Sequence, residues 1–240
     1  MRLDSYLVKN GFFESRNRAA SAIKSGLVLV NGKEIKKPSF NVDNSCNIEL
    51  KESKFYISRA AKKLEEYLKE FALPIKNSIA LDIGSSTGGF TQILLENGAK
   101  EVDCVDVGKE QLHNSLRENP KVNVYEECDI RDFNKRVYDL IVSDVSFISL
   151  LKIVDSINRL SKDGTIVTLL FKPQFEVGKN VKRDSKGVVL DKAAIDLAKE
   201  NFLAKTKELN WKLLDTKKSK VKGKEGNTEY FYTFKVRRES

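Results

Sequence analysis

The stretch "SIALDIGSSTGGF", Ser78–Phe90, decides the fold. An apolar run with strand propensity ends in an acid and a glycine, and a helical pattern follows from Thr87 to Asn97. Gly84, Gly88 and Gly89 let the backbone pass close to a ligand between strand and helix, at the carboxyl end of a sheet. A dinucleotide fold wants G-x-G-x-x-G, so that a pyrophosphate can rest on the helix N-terminus. Here the second glycine gives way to serine, and Asp82 precedes the loop. An acid in that place repels phosphate and suits a cationic ligand that carries an amino group. The candidate binding loop is Asp82, Gly84, Ser85, Gly88, Gly89 and Phe90.

Outward from this loop, strands and helices alternate. "EVDCVDV", a polar helix around Gln111, "VNVYEEC", "YDLIVSDV", a helix after Ser149 and "TIVTLLF" follow in turn. Continuous apolar strands separated by helices imply a parallel sheet covered on both faces, a Rossmann-like α/β domain. The last two strands, "WKLLDTKKSKV" and "TEYFYTFKV", are separated only by a glycine-containing loop and are expected to pair antiparallel at one edge. That makes seven strands. Asp106 ends the second, where a carboxylate accepts both hydroxyls of an adenosine ribose, and Asp129 and Ile130 follow the third, where they can face an adenine. The acid-x-G-x-x-x-G pattern resembles the first motif of S-adenosylmethionine-dependent methyltransferases, which implies S-adenosylmethionine as cofactor.

The fourth strand ends in "SDVSF" and lacks the Pro-Pro-aromatic that accompanies methylation of exocyclic base nitrogens. Cys104 and Cys128 fall within strands two and three rather than in a loop where a cysteine nucleophile is needed for cytosine-carbon chemistry. A hydroxyl acceptor remains. In "GTIVTLLFKPQFE" a buried strand ends in Lys172, and a lysine there ordinarily reaches solvent along its apolar stem. Lys172 and Asp144, however, end neighbouring strands at one rim of the sheet, beside the expected methyl donor. Lys63 in "SRAAKKL" and Glu229 in "GNTEYF" are expected to join them.

The first residues have a different grammar. Leu3, Tyr6 and Leu7 sit at helical spacing, Gly11 breaks that helix, and Ser15 caps a second carrying Ala19, Ala22 and Ile23. Gly26 ends it, "LVLV" is a strand, and Asn31-Gly32 turns a hairpin into "KEI". The division expected is 1–52 for a small α+β domain, a short linker at 53–57, and 58–240 for the α/β domain. Arg2, Arg16, Arg18, Lys24, Lys33, Lys36 and Lys37 punctuate the first domain where they can converge on one face as phosphate contacts.

The whole chain has 240 residues, 40% hydrophobic, and a formal net charge of +9. The excess lies in the first sixty residues and in "KKSKVKGKEG", which points to a polyanionic partner. No apolar run approaches the roughly 20 residues of a membrane helix, and no secretion signal opens the chain, so a soluble cytoplasmic protein is expected. Cys46, Cys104 and Cys128 lie far apart, which argues against a disulfide framework or a zinc site. The single histidine, His113, lacks partners for a triad or a metal.

"RLDSYLVKNGFFESRNRAASAIKSGLVLVNGK" resembles the RNA-binding domain of small-subunit ribosomal protein S-four, which implies an RNA-gripping role for Arg16, Arg18, Lys24 and Lys33. Lys63, Asp144, Lys172 and Glu229 resemble the Lys-Asp-Lys-Glu tetrad of FtsJ-type RNA ribose 2′-O-methyltransferases. With "YISRAAKKL", "LDIGSSTGGFT", "SDVSFISL", "FKPQFE" and "KGKEGNTEYF" in order, the chain looks like the TlyA family of haemolysin-named ribosomal RNA methyltransferases. The family often has glycine where this chain has Ala60. "KK" offers two lysines, and Lys63 is chosen because it directly precedes Leu64, with Lys62 as the fallback. The resemblance implies a ribosomal RNA cytidine as substrate and no metal. A start at "MRLDSYL" looks like the short type of the family, which implies the large ribosomal subunit (23S rRNA). Lys172 then either relays the hydroxyl proton as a free amine or holds the oxygen as an ammonium while water takes the proton.

Overall fold

The computed structural model describes residues 1–51 and 56–238. The chain divides into two units, Met1–Phe55 and Tyr56–Ser240. Of the linker expected at 53–57, only Tyr56 and Ile57 lie within the described residues.

In the first unit, α1 (Leu3–Lys9) and α2 (Arg16–Lys24) precede a small sheet of β1 (Val28–Val30), β2 (Lys33–Glu34) and β3 (Ile48–Leu50), ordered β2-β1-β3. The Ser15 hydroxyl accepts the Arg18 amide at 3.4 Å and so caps α2. Asn31 and Gly32 take φ of 50° and 74°, the left-handed pair that a tight two-residue hairpin requires. Leu3, Leu7, Ala19, Ile23, Val28, Val30 and Val42 form the core. The strand β3 is an addition to the expected helix-helix-hairpin, and it pairs with the far edge of β1.

The second unit begins with α3 (Arg59–Leu68), β4 (Ile79–Ile83), α4 (Gly89–Glu96), β5 (Glu101–Val105), α5 (Asn114–Arg117), β6 (Val122–Tyr125) and β7 (Tyr138–Ser143). A 3-10 turn (Leu150–Lys152), α6 (Val154–Arg159), β8 (Ser161–Phe171), α7 (Pro173–Glu176), α8 (Lys192–Glu208), β9 (Trp211–Lys218) and β10 (Tyr230–Val236) complete it. The seven strands run β6-β5-β4-β7-β8-β10-β9. The five from β6 to β8 are parallel neighbours, whereas β10 is antiparallel to both β8 and β9. Strand order reverses between β4 and β7, so a crevice opens at their carboxyl ends.

Side chains alternate across the sheet. Ala80, Val102, Leu140, Val142 and Phe231 pack under α3 and α4 with Leu64, Phe90 and Ile93. Leu81, Ile83, Ile141, Val167, Leu169 and Phe234 face α6 and α8 with Ile153, Ile157 and Phe202. The polar helix expected around Gln111 is corrected. Only one turn forms, from Asn114, because the Glu126 carboxylate takes the amides of Glu110, Gln111 and Leu112 at 2.8–3.1 Å and holds that segment as a loop. Arg117, 2.7 Å from Glu126, brings that carboxyl down to about 2. His113 is the N-cap of α5 and accepts the Ser115 amide at 3.3 Å.

Candidate active site

Sheet topology places three of the four expected catalytic residues at one rim. Asp144 follows the last residue of β7, and Lys172 follows the last residue of β8. Tyr230 pairs with Phe171, so Glu229, one step before β10, falls beside Lys172, one step beyond β8. The fourth arrives on α3, whose inward face carries Lys63, Leu64 and Tyr67 while Lys62 is exposed. Tyr67, one turn beyond Lys63, donates to Asp215 at 2.9 Å and shares a 2.7 Å hydrogen bond with Thr233, which fixes the rotation of α3 over β9 and β10.

The four side chains form a chain of three ion pairs, in the order Glu229, Lys63, Asp144, Lys172. Lys63 Nζ lies 2.6 Å from Glu229 and 3.7 Å from Asp144, and Lys172 Nζ lies 2.6 Å from Asp144. Gln174 donates to the other Glu229 oxygen at 3.3 Å. Around Lys172 Nζ stand three acceptors: the Asp144 carboxylate, the Ser146 hydroxyl at 2.9 Å and the Asp144 carbonyl at 3.4 Å. Two of these are hydrogen bonds and the third, to the carboxylate, is an ion pair.

Ser146 and Phe147, within "SDVSF", stand at the same rim, where residue order gives no role to either. Phe147 has φ of 65° and is 92% exposed, an open aromatic face at the rim, with its ring centroid 5.1 Å from that of Phe175. Glu176 fixes the same loop from below, accepting the Leu150 amide at 2.9 Å and the Ser149 hydroxyl at 2.6 Å. Burial raises the carboxyl of Glu176 above its usual range. Nothing in residue order marks Phe147, because its left-handed backbone is set by the turn that follows β7.

A cavity of about 430 Å³ opens beside the tetrad at the switch point between β4 and β7. Gly84, Asp106, Asp129 and Ile130 line it, together with Asp144, Val145, Phe147, Gln111 and Ile153. At Gly84, with φ of 73°, a Cβ would stand 2.9 Å from Val145, so only glycine leaves this floor open. Asp106 accepts the Ser86 amide at 2.8 Å and the Gly108 amide at 2.7 Å, which ties the two loops that flank the cavity. Asp129 pairs with Arg131 at 2.6 Å, and that guanidinium lowers its carboxyl. Three carboxylates, Asp106, Asp129 and Asp144, and apolar walls at Ile130 and Ile153 are a lining whose chemistry fits S-adenosylmethionine, with acceptors for hydroxyl, amino and cationic groups.

Asp82, Ser85, Gly88, Gly89 and Phe90, expected at the cofactor, are not among the residues that line this cavity. The reason is strand alternation. Ile83 faces the cavity, so Asp82 points to the opposite face, beneath α4. There its Oδ2 accepts the Thr91 amide at 3.0 Å and the Thr91 hydroxyl at 2.7 Å, the cap that Gly88 at the N-cap position has no side chain to provide. Its Oδ1 is buried without a partner among the described residues, and burial raises the carboxyl to about 7. Gly89 serves packing: a Cβ would meet the Ser58 hydroxyl at 2.2 Å and the Ala61 amide at 2.7 Å, so α3 comes close to α4 only over glycine. Gly88 closes on Leu112 and Leu116, and Phe90 belongs to the core.

In the first unit, Arg2, Arg16, Lys24, Lys33, Lys36 and Lys37 are exposed and Arg18 is half-buried. Arg2 and Arg16 both reach Asp4, at 2.8 and 3.3 Å. Arg18 pairs with Glu14 and Lys36 with Glu34.

Residues 56–236 match the FtsJ-like methyltransferase family, and residues 1–45 match the S4 domain. A Campylobacter jejuni protein named 23S rRNA (cytidine-2′-O)-methyltransferase TlyA is 45% identical over 98% of this chain and 99% of its own length. The Mycobacterium tuberculosis protein named 16S/23S rRNA (cytidine-2′-O)-methyltransferase TlyA is 38% identical over 96% of this chain and 88% of its own. A solved structure of a Streptococcus thermophilus protein, named a hemolysin, is 34% identical and aligns over 100% of this chain and 89% of its own with a TM-score of 0.74.

Proposed function

The chain belongs to the FtsJ-like methyltransferase family and, within it, to the TlyA family, and on that premise we propose that it methylates the ribose 2′-hydroxyl of a cytidine in ribosomal RNA. The observation that carries the reading is the tetrad: two buried lysines and two carboxylates linked by three ion pairs at the rim of a cavity suited to S-adenosylmethionine. The large-subunit RNA is the proposed target, supported by 45% identity to a relative named for 23S methylation. The proposed place of work is the cytoplasm, among ribosomal subunits. Among the described residues no helix is long and apolar enough to cross a membrane.

When bound, S-adenosylmethionine supplies an electrophilic methyl group. The residues have to place a weak nucleophile on line with it, which is mainly a matter of orientation. Asp106 would accept the cofactor's ribose hydroxyls, Ile130 would pack its adenine, and Asp82 would shape the loop from beneath α4 instead of touching the ligand. Lys172, surrounded by acceptors, acts as a charged donor. Its longest contact, 3.4 Å to the Asp144 carbonyl, is the one that a substrate 2′-oxygen would replace. Nζ would then hold that oxygen with a lone pair toward the methyl, and the hydroxyl proton would leave to water as the C–O bond forms and the methyl–sulfur bond breaks. Asp144 orients Lys172, and the Lys63–Glu229 pair fixes the ribose from the other side. Phe147 is placed to stack on the target base, since a nucleobase presents a π-face whatever its sequence context. The basic face of the first unit would bind neighbouring RNA phosphates through Arg2, Arg16, Arg18, Lys24, Lys33, Lys36 and Lys37.

The test is nucleoside mass spectrometry after incubating unmodified large and small subunits with enzyme and S-adenosylmethionine. 2′-O-methylcytidine from large-subunit RNA is the expected product. A methylated base in place of a methylated ribose, or no product from either subunit, would overturn the proposal.

A further inference from the structure

Asp4 is an acid on a unit read as RNA-binding, where simple electrostatics makes it a liability. Its surroundings are unlike those of the other acids there. Asp4 is only 4% exposed and lies in the first turn of α1. Its Oδ1 accepts the Ser5 amide at 2.8 Å, the Ser5 hydroxyl at 3.3 Å and Arg2 Nε at 3.0 Å. Its Oδ2 accepts an Arg2 terminal nitrogen at 2.8 Å and an Arg16 terminal nitrogen at 3.3 Å. The Arg2 hydrogen bond, foremost, holds this carboxyl far below the usual carboxylate range. By contrast, the Glu14 partner of Arg18 is 78% exposed, and such a surface pair fixes little.

Two guanidiniums drawn onto one buried carboxylate cannot splay apart as like charges otherwise would. The Arg2 backbone is pinned as well: it bridges to Asn41, and the neighbouring Leu3 amide donates to the Phe40 carbonyl at 2.7 Å. Both arginine side chains still face solvent, 50% and 60% exposed, and Asp4 occupies only part of either fork. Two cations on one anion leave a net single positive charge and a set of aligned N–H donors, the complement of one phosphodiester.

We propose that Asp4 is a positioning residue that holds Arg2 and Arg16 together as a two-armed clamp for a single RNA backbone phosphate. The proposal rests on the reading of this unit as RNA-binding. It inverts the usual sign of charge: removing an anion from an RNA-binding face weakens RNA binding.

The test compares wild type with Asp4→Asn, as full chains, for affinity to purified large ribosomal subunits across a range of salt concentrations. Unchanged S-adenosylmethionine affinity and an unchanged circular dichroism spectrum report integrity. The expected result is a loss of about tenfold in RNA affinity, the scale of one charge-assisted hydrogen bond, with the log–log salt slope shallower by roughly 0.7–0.9 as one phosphate contact disappears. Equal or tighter binding by folded Asp4→Asn would overturn the proposal. Should Asp4→Asn fail to fold, Arg2→Ala, Arg16→Ala and the double variant decide. One shared phosphate makes the double lose little more than either single, whereas fully additive losses would mean two independent contacts and sink the clamp. A wild type that binds neither ribosomal subunit would remove the RNA-binding reading itself, and the clamp with it, whereas loss of the clamp alone leaves wild-type binding in place.

Discussion

Lys63 Nζ lies 2.6 Å from Glu229 Oε2, with the two side chains only 8% and 2% exposed. One comes from the helix that opens the second unit and the other from the residue just before its last strand, so the pair ties the two ends of the unit together at the site. At this burial neither charge is tolerable alone. Desolvation of a lone buried ion outweighs what packing returns, and removing one partner of such a pair typically costs about 3–5 kcal/mol. Lys63→Ala is therefore expected to destabilise the second unit on that scale, and Glu229→Leu likewise. The combined Lys63→Met/Glu229→Leu variant should lose much less than the sum. Urea unfolding of the four proteins checks this, and additive losses would show that the two charges are not coupled.

Lys172 makes a different prediction, because its partners Asp144 and Ser146 stand at the rim instead of within the core. Lys172→Ala should lower kcat by about 10²- to 10⁴-fold, the usual span for a group that handles or holds the reacting proton and oxygen. Calorimetry should find S-adenosylmethionine affinity nearly unchanged, since Lys172 does not line the cavity. A rate within a factor of a few of wild type would take Lys172 out of the chemistry.

Gly89→Ala tests the approach of α3 to α4. The added methyl would lie 2.2 Å from the Ser58 hydroxyl and 2.7 Å from the Ala61 backbone amide, and the latter cannot swing away as a side chain can. A loss of about 1–3 kcal/mol is expected from overpacking, together with reduced activity, because α3 carries Lys63. Thermal unfolding and initial rates check both, and an active, fully stable Gly89→Ala would show that the contact yields freely.

Asp82 gives a pH dependence. Burial, foremost, pushes its carboxyl up to about 7 in the folded protein, from an ordinary value of 3.8. Between those pH values the native state holds a proton that the unfolded chain has released. Stability contributed at this site is therefore full below about pH 4 and falls as pH rises toward 7, by up to about 4 kcal/mol. Asp82→Asn retains an acceptor for Thr91 and carries no charge, so its stability should vary less between pH 5 and 8. Parallel pH profiles for the two proteins would place the titration elsewhere.

What residue order revealed, and what it hid, follows from the range of each interaction. The α/β alternation and the antiparallel end were legible because β7 and β8 are continuous apolar runs and because the β9–β10 connection is short. The tetrad could be named because each member ends a strand or belongs to a recurrent motif, and the structure brings all four together. The hold of Asp82 on Thr91 was hidden for want of strand phase: the loop glycines say where a ligand passes, but only alternation along β4 says which face the acid takes. The helix α8 went unnoticed, although it is 17 residues long, because it buries only Phe202 and Thr206 and so shows little apolar periodicity. The role of Phe147 depends on a left-handed turn that no local pattern announces.

The most direct measurement is transfer of radiolabelled methyl from S-adenosylmethionine to unmodified large and small ribosomal subunits, by wild type beside Lys172→Ala. The account predicts label in large-subunit RNA, at a linkage that resists alkali because its 2′-oxygen is blocked, and loss of that label in the variant. Label that alkali treatment does not protect, or equal labelling by Lys172→Ala, would contradict ribose methylation through this site.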